Sequence, residues 1–302
     1  MFPTKTKKFQ DFYAPAVQSK ALWRLLVGLV LLAVIYMGFA ALLAVFITAY
    51  SISNDTDIPF DALLTGTSPI GIILLLSSFI VVFLGLLLAV KLLHKRGLKS
   101  LLGPSLSEGF RNFKLAFFLV FCLTLLSTPI FAFIDLPIKN MAFLTWLGWM
   151  LLALPLLLVQ VSTEELVFRG YIQQQLAARF NSRLIWYVLP SIAFGMLHYD
   201  PASFGSNAWL VVISAVLFGL IAADVTARTG NLGAAIGLHF ANNLYAVTIV
   251  TTDGALSGLG LYKTSFSVTD EVATRSVMIV GLCFIVLLYG AYLFWCKNRP
   301  QL

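Results

Sequence analysis

The sequence predicts an all-α polytopic membrane protein with about eight transmembrane helices and an intramembrane polar cavity open to the cytoplasm. Only 11% of its 302 residues are charged and 60% are hydrophobic, with a mean hydropathy of +0.92. A soluble globular chain carries about 25% charged residues, because its surface must be hydrated. The net charge of +7 does not indicate a nucleic-acid partner, because the basic residues lie in loops between apolar runs. The lipid bilayer is therefore the predicted environment.

Uncharged apolar runs define the predicted spans, since about 20 apolar residues cross the hydrocarbon layer as a helix. They are Leu25–Tyr50, Pro69–Val90, Leu115–Ile134, Asn140–Thr163, Leu184–Tyr199, Ala208–Ala223, Leu232–Thr252 and Ser276–Cys296. No small-residue cleavage site follows the first run, so we expect it to be retained as an anchor. The predicted organisation is a cytoplasmic N-terminal segment (1–24), a single membrane domain (25–296) with its core at about 142–250, and a cytoplasmic tail (297–302).

The basic residues predict the orientation. When the loops are assigned alternately to two sides, nearly all Lys and Arg residues fall on one side, including those of segments 5–24 and 91–114. Positively charged loops stay in the cytoplasm, so both termini are predicted to be cytoplasmic. The basic run from 91 to 114 is interpreted as an orientation signal at anionic headgroups. The compact length and the lack of an ER-retention tail favour a bacterial inner (plasma) membrane.

Polar side chains enter the predicted spans in three motifs. A charged group at the bilayer centre costs roughly 2.5 to 3.5 kcal/mol on insertion scales, so such groups indicate a specific role. The fourth span ends in Glu164 and Glu165 followed by Arg169. The fifth ends in Phe194 and His198, and the seventh contains His239, Asn242 and Asn243.

Helical spacing assigns a direction to these groups, because residues four apart share a face and adjacent residues point about 100° apart. Glu165 is expected to pair with Arg169, which leaves Glu164 without a cation and free for chemistry. His239 and Asn243 share one face, and Asn242 points off that line.

The motifs also lie at matching depths. Glu164 is 15 residues from Arg179, His198 is 15 from Arg183, and His239 is 11 from Arg228. At about 1.5 Å per residue these positions lie on the order of 15 to 20 Å from the basic boundary. We therefore predict that the three motifs meet in one hydrated layer reached from the cytoplasm.

Two kinds of chemistry fit these residues. Glu164 and His198 could activate a water for peptide hydrolysis, with His239 and Asn243 as donors to the oxyanion. Alternatively, Glu164, His198 and His239 form a His2Glu set that suits catalytic zinc with one open position. The sequence leaves both routes open. It contains no HExxH, GxSG or GxGD motif, the residues of other common proteolytic routes.

The three motifs, EExxxR at 164–169, FxxxH at 194–198 and HxxxN at 239–243, resemble those of the CPBP (Abi) intramembrane proteases, which include the CAAX prenyl endopeptidases. The resemblance covers about 142–250. It implies an endopeptidase that cuts membrane-associated peptides or proteins, with Glu164, His198, His239 and Asn243 as catalytic residues and Glu165 and Arg169 as supporting ones. Family members are described as metalloproteases, although a metal-independent glutamate mechanism is also argued for the fold. The resemblance implies no particular substrate.

Structural interpretations compete with these functional ones. Glu165 and Arg169 are interpreted as an ion pair that holds the helix in place. Asn242 is interpreted as a contact between helices. Asp224 and Arg228 are interpreted as an interfacial salt bridge, and His94 as solvated in the basic loop. At the level of the whole chain, the alternatives are a non-proteolytic scaffold, for immunity or for regulation of a sensor kinase, and a proton-coupled transporter.

Overall fold

The all-α prediction is confirmed by a computed structural model, which describes residues 5–54, 63, 65–133 and 135–297. Residues 1–4 of the predicted N-terminal segment, Ile134 at the end of the third predicted span, and the tail beyond Lys297 lie outside the described residues. Helices account for nearly all of the described secondary structure, and strands are few and short.

Helices and strands are numbered separately in chain order. The α-helices are α1 (Lys7–Val17), α2 (Leu22–Ser53), α3 (Pro69–His94), α4 (Lys99–Leu102), α5 (Leu106–Ala132), α6 (Phe143–Glu165), α7 (Gln174–Arg179), α8 (Leu189–Met196), α9 (Pro201–Phe204), α10 (Ala208–Thr229), α11 (Gly233–Leu244) and α12 (Glu271–Lys297). Segments of π-helix occupy Leu166–Gln173, Leu184–Val188 and Tyr245–Ile249, and a 3-10 turn occupies Gly205–Asn207. The strands are β1 (Ile138–Lys139), β2 (Val250–Asp253) and β3 (Tyr262–Ser267).

Six of the described helices are long and apolar enough to cross a membrane. The predicted count of eight is not confirmed, because the fifth and seventh predicted spans form shorter helices. The fifth yields only Leu184–Met196, in which a π-helical turn leads into α8 with Pro190 near its first residue. The seventh yields α11, which begins one residue inside the predicted span and continues as the π-helical segment Tyr245–Ile249, and the last residues of the span belong to strand β2. A hydropathy window does not register such ends.

Several segments of the predicted basic side contact one another, and we call this part of the bundle the basic end. At the basic end, Lys5 Nζ donates to Ala177 O at 2.6 Å, and Arg24 Nη1 donates to Leu93 O at 2.7 Å. Helix α1 packs there against α4, α7 and α10. The orientation of this end towards the cytoplasm stays a prediction.

A small sheet that the sequence did not predict lies at the other end. Its strand order is β1-β3-β2, with β1 antiparallel and β2 parallel to β3. Asn140 Nδ2 extends this contact by donating to Gly260 O at 2.8 Å. The strands have two, four and six residues, too few for an alternating pattern to stand out.

The prediction for His94 is wrong. Its side chain is 4% exposed and lies in a buried polar cluster at the basic end. Its Nδ1 atom is 3.0 Å from Ser19 Oγ, and its Nε2 atom is 2.9 Å from the Tyr171 hydroxyl. His94 is the last residue of α3, and there it turns inward to join the turn between α1 and α2, at Ser19, to the segment after α6, at Tyr171.

Small residues bring α11 against α5. A Cβ atom on Gly233 would overlap Gly109 O, and one on Gly237 would overlap Phe113 O. Two small residues four apart let membrane helices approach at backbone distance. The Phe240 ring stacks on Phe113 and Phe117 at centroid distances of 6.3 and 5.4 Å. This contact fixes the position of α11 and therefore of the motif that it carries.

We expect Gly237→Ala to lower the thermal stability of the purified protein. The added methyl group meets a backbone carbonyl, which cannot move as a side chain can, and overpacking of this kind costs about 1–3 kcal/mol. Gly148→Ala on α6 is the matched control, since a Cβ there meets nothing within 4 Å. Equal melting temperatures for the two variants in one detergent would contradict the close α5–α11 contact.

Candidate active site

Helix α6 delivers the first group of polar side chains. Gln160 and Glu164 lie one turn apart on one face, and Glu165 lies on the adjacent face. The helix continues after Glu165 as the π-helical segment Leu166–Gln173, which contains Arg169. Such π-helical turns are frequent at functional sites.

The predicted ion pair between Glu165 and Arg169 is present and buried. Arg169 Nη1 is 2.9 Å from Glu165 Oε1, and the side chains are 2% and 0% exposed. Arg169 Nη2 also donates to Gly219 O on α10 at 3.1 Å, and the guanidinium lies 4.8 Å from the Phe194 ring centroid. The arginine therefore joins α6 to α10 and to the fifth predicted span.

His239 lies between the two glutamates. Its Nδ1 atom is 2.8 Å from Glu165 Oε1, and its Nε2 atom is 3.5 Å from Glu164 Oε2. Glu165 Oε1 thus contacts both the Arg169 guanidinium and the His239 imidazole. The structure brings the first and third motifs together, with one imidazole in contact with both carboxylates.

Gln160 is a site residue that the sequence analysis missed. Its Nε2 atom donates to Glu164 Oε1 at 2.6 Å, and its Oε1 atom accepts from Asn243 Nδ2 at 3.2 Å. The available signal was an uncharged amide inside a span, four residues before Glu164 and therefore on its face. Asn243 thus reaches Glu164 through Gln160.

Asn242 lies beside this network. Its Nδ2 atom donates to Asn243 Oδ1 at 3.0 Å, and the residue is exposed. Its predicted role was a contact between helices, and its described hydrogen bond is with its neighbour on the same helix.

His198 borders the network through an aromatic ring. Its Nδ1 atom is 2.9 Å from Phe194 O, so in the neutral form this nitrogen is the donor and Nε2 is left free. The Phe194 ring centroid lies 4.8 Å from that of His198 and 6.1 Å from that of His239. Within the described part of the chain, His198 forms no hydrogen bond with Glu164 or His239.

The predicted zinc set is not assembled in this arrangement. The described residues contain no group of three or more His, Cys, Asp or Glu side chains that could hold a metal ion. Glu164 and His239 lie together, but His198 does not complete the set. The donor geometry therefore does not fit a metal bound by Glu164, His198 and His239.

Burial distinguishes the two carboxylates. Glu164 is 14% exposed, whereas Glu165 is fully buried. One oxygen of each, Oε2, is buried without a hydrogen-bond partner among the described atoms. A buried oxygen without a partner is costly and indicates a functional role or a bound water.

Buried side chains pack between α1 and the segment after α6 at the basic end. Residues Phe9 and Phe12 of α1 are buried in one cluster with Leu166, Tyr171 and Leu176. The three glutamines that follow, at 173 to 175, are also buried, at 0%, 0% and 3% exposure. The predicted opening of the cavity towards this end is therefore not confirmed.

Asp224 and Arg228 form a separate cluster. Arg228 Nε lies 2.5 Å from Asp224 Oδ2, and the Tyr289 hydroxyl donates to the same oxygen. The arginine is 40% exposed, but the carboxylate is only 1% exposed, so the pair is more deeply buried than the predicted interfacial salt bridge.

Comparisons with known proteins agree with the motifs. Residues 145–245 match the family described as "Type II CAAX prenyl endopeptidase Rce1-like". The chain is also similar to "Uncharacterized protein YyaK" of Bacillus subtilis (strain 168), at 28% identity over 262 residues, which cover 82% of this chain and 84% of that protein. No solved structure matches. The matched segment contains all three motifs, so the family resemblance is confirmed for the part of the chain that holds the candidate site, which is similar to the Rce1-like type II CAAX prenyl endopeptidases.

Proposed function

We propose that this protein is an intramembrane endopeptidase that hydrolyses membrane-associated peptides or proteins with a water activated by Glu164. The observation that carries the proposal is the contact of His239 with both Glu164 and Glu165, inside a segment that matches type II CAAX prenyl endopeptidases. Its substrates are proposed to reach the site within the lipid bilayer, and no nucleic acid is involved.

The charges around the site support Glu164 as the base. Arg169 balances the charge of Glu165 in a buried pair, so Glu164 carries the remaining negative charge. Its Oε2 atom has no hydrogen-bond partner among the described atoms, and its side chain is partly exposed where Glu165 is not. A partly exposed carboxylate that keeps one oxygen free of hydrogen bonds is suited to general-base catalysis.

The proposed reaction is hydrolysis of a peptide bond with Glu164 as the general base. Glu164 takes a proton from water as the water oxygen attacks the scissile carbonyl carbon, giving a tetrahedral intermediate with a negatively charged oxygen. The proton then passes from Glu164 to the amide nitrogen, the C–N bond breaks, and a carboxylic acid and an amine leave. His198 is proposed to hold the water through its free Nε2 atom.

Asn243 and His239 are the proposed donors to the oxyanion. Asn243 uses one hydrogen of its Nδ2 atom on Gln160 and retains the other. The Nδ1 atom of His239 contacts Glu165, and its Nε2 atom, which faces Glu164, is the proposed donor to the oxyanion.

Glu164→Gln is expected to reduce peptide cleavage by about 100-fold or more, because the amide cannot accept the proton of water. Proteomics of membrane peptides that accumulate in cells with this variant would identify substrates, and cleavage of one of them by purified protein in liposomes would measure the rate. Glu108→Gln, at an exposed position in the first turn of α5, is the matched control. Full cleavage by the Glu164 variant at normal abundance would exclude the proposed mechanism.

Arg169→Met should destabilise the protein by about 3–5 kcal/mol, because it leaves the charge of Glu165 buried without a partner. The double variant Glu165→Gln with Arg169→Met should recover much of this loss, since it removes both charges. Lys263→Met breaks a more exposed pair with Asp253 and should cost about 1 kcal/mol or less. Melting curves of the parent protein and these three variants check this order, and a double variant less stable than the single one would contradict it.

Metal removal is expected to leave cleavage unchanged, because the described residues do not provide a three-ligand set. The measurement is the cleavage rate after treatment with 1,10-phenanthroline, with a zinc peptidase in the same detergent as control. Loss of activity that added Zn²⁺ restores would show that the ligands rearrange to bind a metal.

A further inference from the structure

We propose that Gln160 is a positioning residue that fixes which oxygen of Glu164 accepts the proton and how far that oxygen lies from the amide of Asn243. This role rests on the proposed function. It goes beyond the three motifs, because Gln160 belongs to none of them and lies on α6 one turn before Glu164.

The two hydrogen bonds of Gln160 fix its orientation. Its Nε2 atom donates to Glu164 Oε1 at 2.6 Å, and its Oε1 atom accepts from Asn243 Nδ2 at 3.2 Å. An ionised carboxylate only accepts, and the Nδ2 group of asparagine only donates. The reversed amide would place oxygen against oxygen and nitrogen against nitrogen, so this arrangement alone satisfies both partners.

The first hydrogen bond makes the two oxygens of Glu164 different. Oε1 is occupied by Gln160, whereas Oε2 has no hydrogen-bond partner among the described atoms and lies 3.5 Å from His239 Nε2. Proton transfer is thereby directed to Oε2, on the side where the imidazole lies. A carboxylate free to rotate would not be held in this way.

The second hydrogen bond connects the base to the oxyanion donor. Asn242 donates to Asn243, Asn243 to Gln160, and Gln160 to Glu164, so all three amides are oriented in one direction and the chain ends on the carboxylate. Hydrogen bonds aligned in this way polarise one another. One amide side chain therefore sets the separation of the base on α6 from the donor on α11.

Burial holds this bridge in place. Gln160 is 8% exposed, and its neighbours Leu157 and Val161 are 1% and 0% exposed. The helix cannot turn to release Gln160 without exposing these two side chains. The bridge is thus fixed by the packing of α6 and does not depend on a bound substrate.

Gln160→Met tests the proposal, because methionine has a similar length and provides neither hydrogen bond of the amide. The expected result is a roughly 100-fold loss of kcat with little change in KM, since misplacement by about 1 Å can cost that much. Gln173→Met is the matched control: Gln173 is also buried, and its amide donates to the Ala223 carbonyl at 3.2 Å. If Gln160→Met does not fold, Gln160→Asn, which keeps the amide one methylene short of Glu164, should show the same loss of kcat.

An infrared measurement separates positioning from stability. The carboxyl band of Glu164 is isolated as the difference between the protein and its Glu164→Gln variant, and the same difference is then recorded in the Q160M and Q173M backgrounds. We expect the band to shift in Q160M and to stay unchanged in Q173M. An unshifted band, or equal losses of kcat in the two variants, would overturn the role of Gln160. A protein with Gln160 intact that cleaves no peptide would overturn the proposed function itself, whereas normal cleavage by Q160M would overturn this inference alone.

Discussion

The buried ion pair between Glu165 and Arg169 is the interaction on which the rest of the site depends. Neither charge is stable alone at full burial, so the two side chains must stay together, and Arg169 adds a hydrogen bond to Gly219 O on α10. The oxygen that receives Arg169 also receives His239 from α11. The Glu165 carboxylate therefore holds α6, the segment that contains Arg169 and α11 in register. Loss of this carboxylate would release the imidazole of His239 as well as the arginine.

The packing of α11 on α5 is also needed to bring His239 to Glu165, and it acts on the face of α11 that points away from Glu165. His239 can reach Glu165 only if α11 lies deep in the bundle, and Gly233 and Gly237 allow this because they place no side-chain atom in the contact with α5. Attraction between apolar side chains does not drive this approach in lipid, where packing and hydrogen bonds remain. Steric fit on one face of α11 and polar contacts on the other thus determine the position of a single histidine.

The sequence predicted those features that depend on local spacing. Long apolar runs indicated the spans, and the four-residue spacing of Glu165 and Arg169 predicted their pair, because both properties belong to one segment. Gln160 was missed although its spacing from Glu164 is also local, since nothing in that spacing indicates Asn243 as its second partner. The error for His94 has a similar cause: a position near a basic loop predicts solvation, but Ser19 and Tyr171 bury the ring from distant parts of the chain. The small sheet and the short fifth and seventh segments depend on contacts that hydropathy does not register.

Because Glu164 and Glu165 are adjacent in the sequence, two chemically identical carboxylates acquire different surroundings. Successive residues of a helix point about 100° apart, so the two carboxylates must enter different surroundings. Glu165 faces the arginine and is fully buried, and Glu164 faces Gln160 and retains some exposure. If both carboxylates faced the same arginine, they would share its charge, and neither oxygen would be distinguished as the base. Because Arg169 balances the charge of Glu165 and Gln160 occupies one oxygen of Glu164, the charge without a cationic partner coincides with the unbonded Oε2 atom of Glu164, beside His239. The direction in which each side chain leaves the helix thus distinguishes one oxygen of Glu164 as the proposed base.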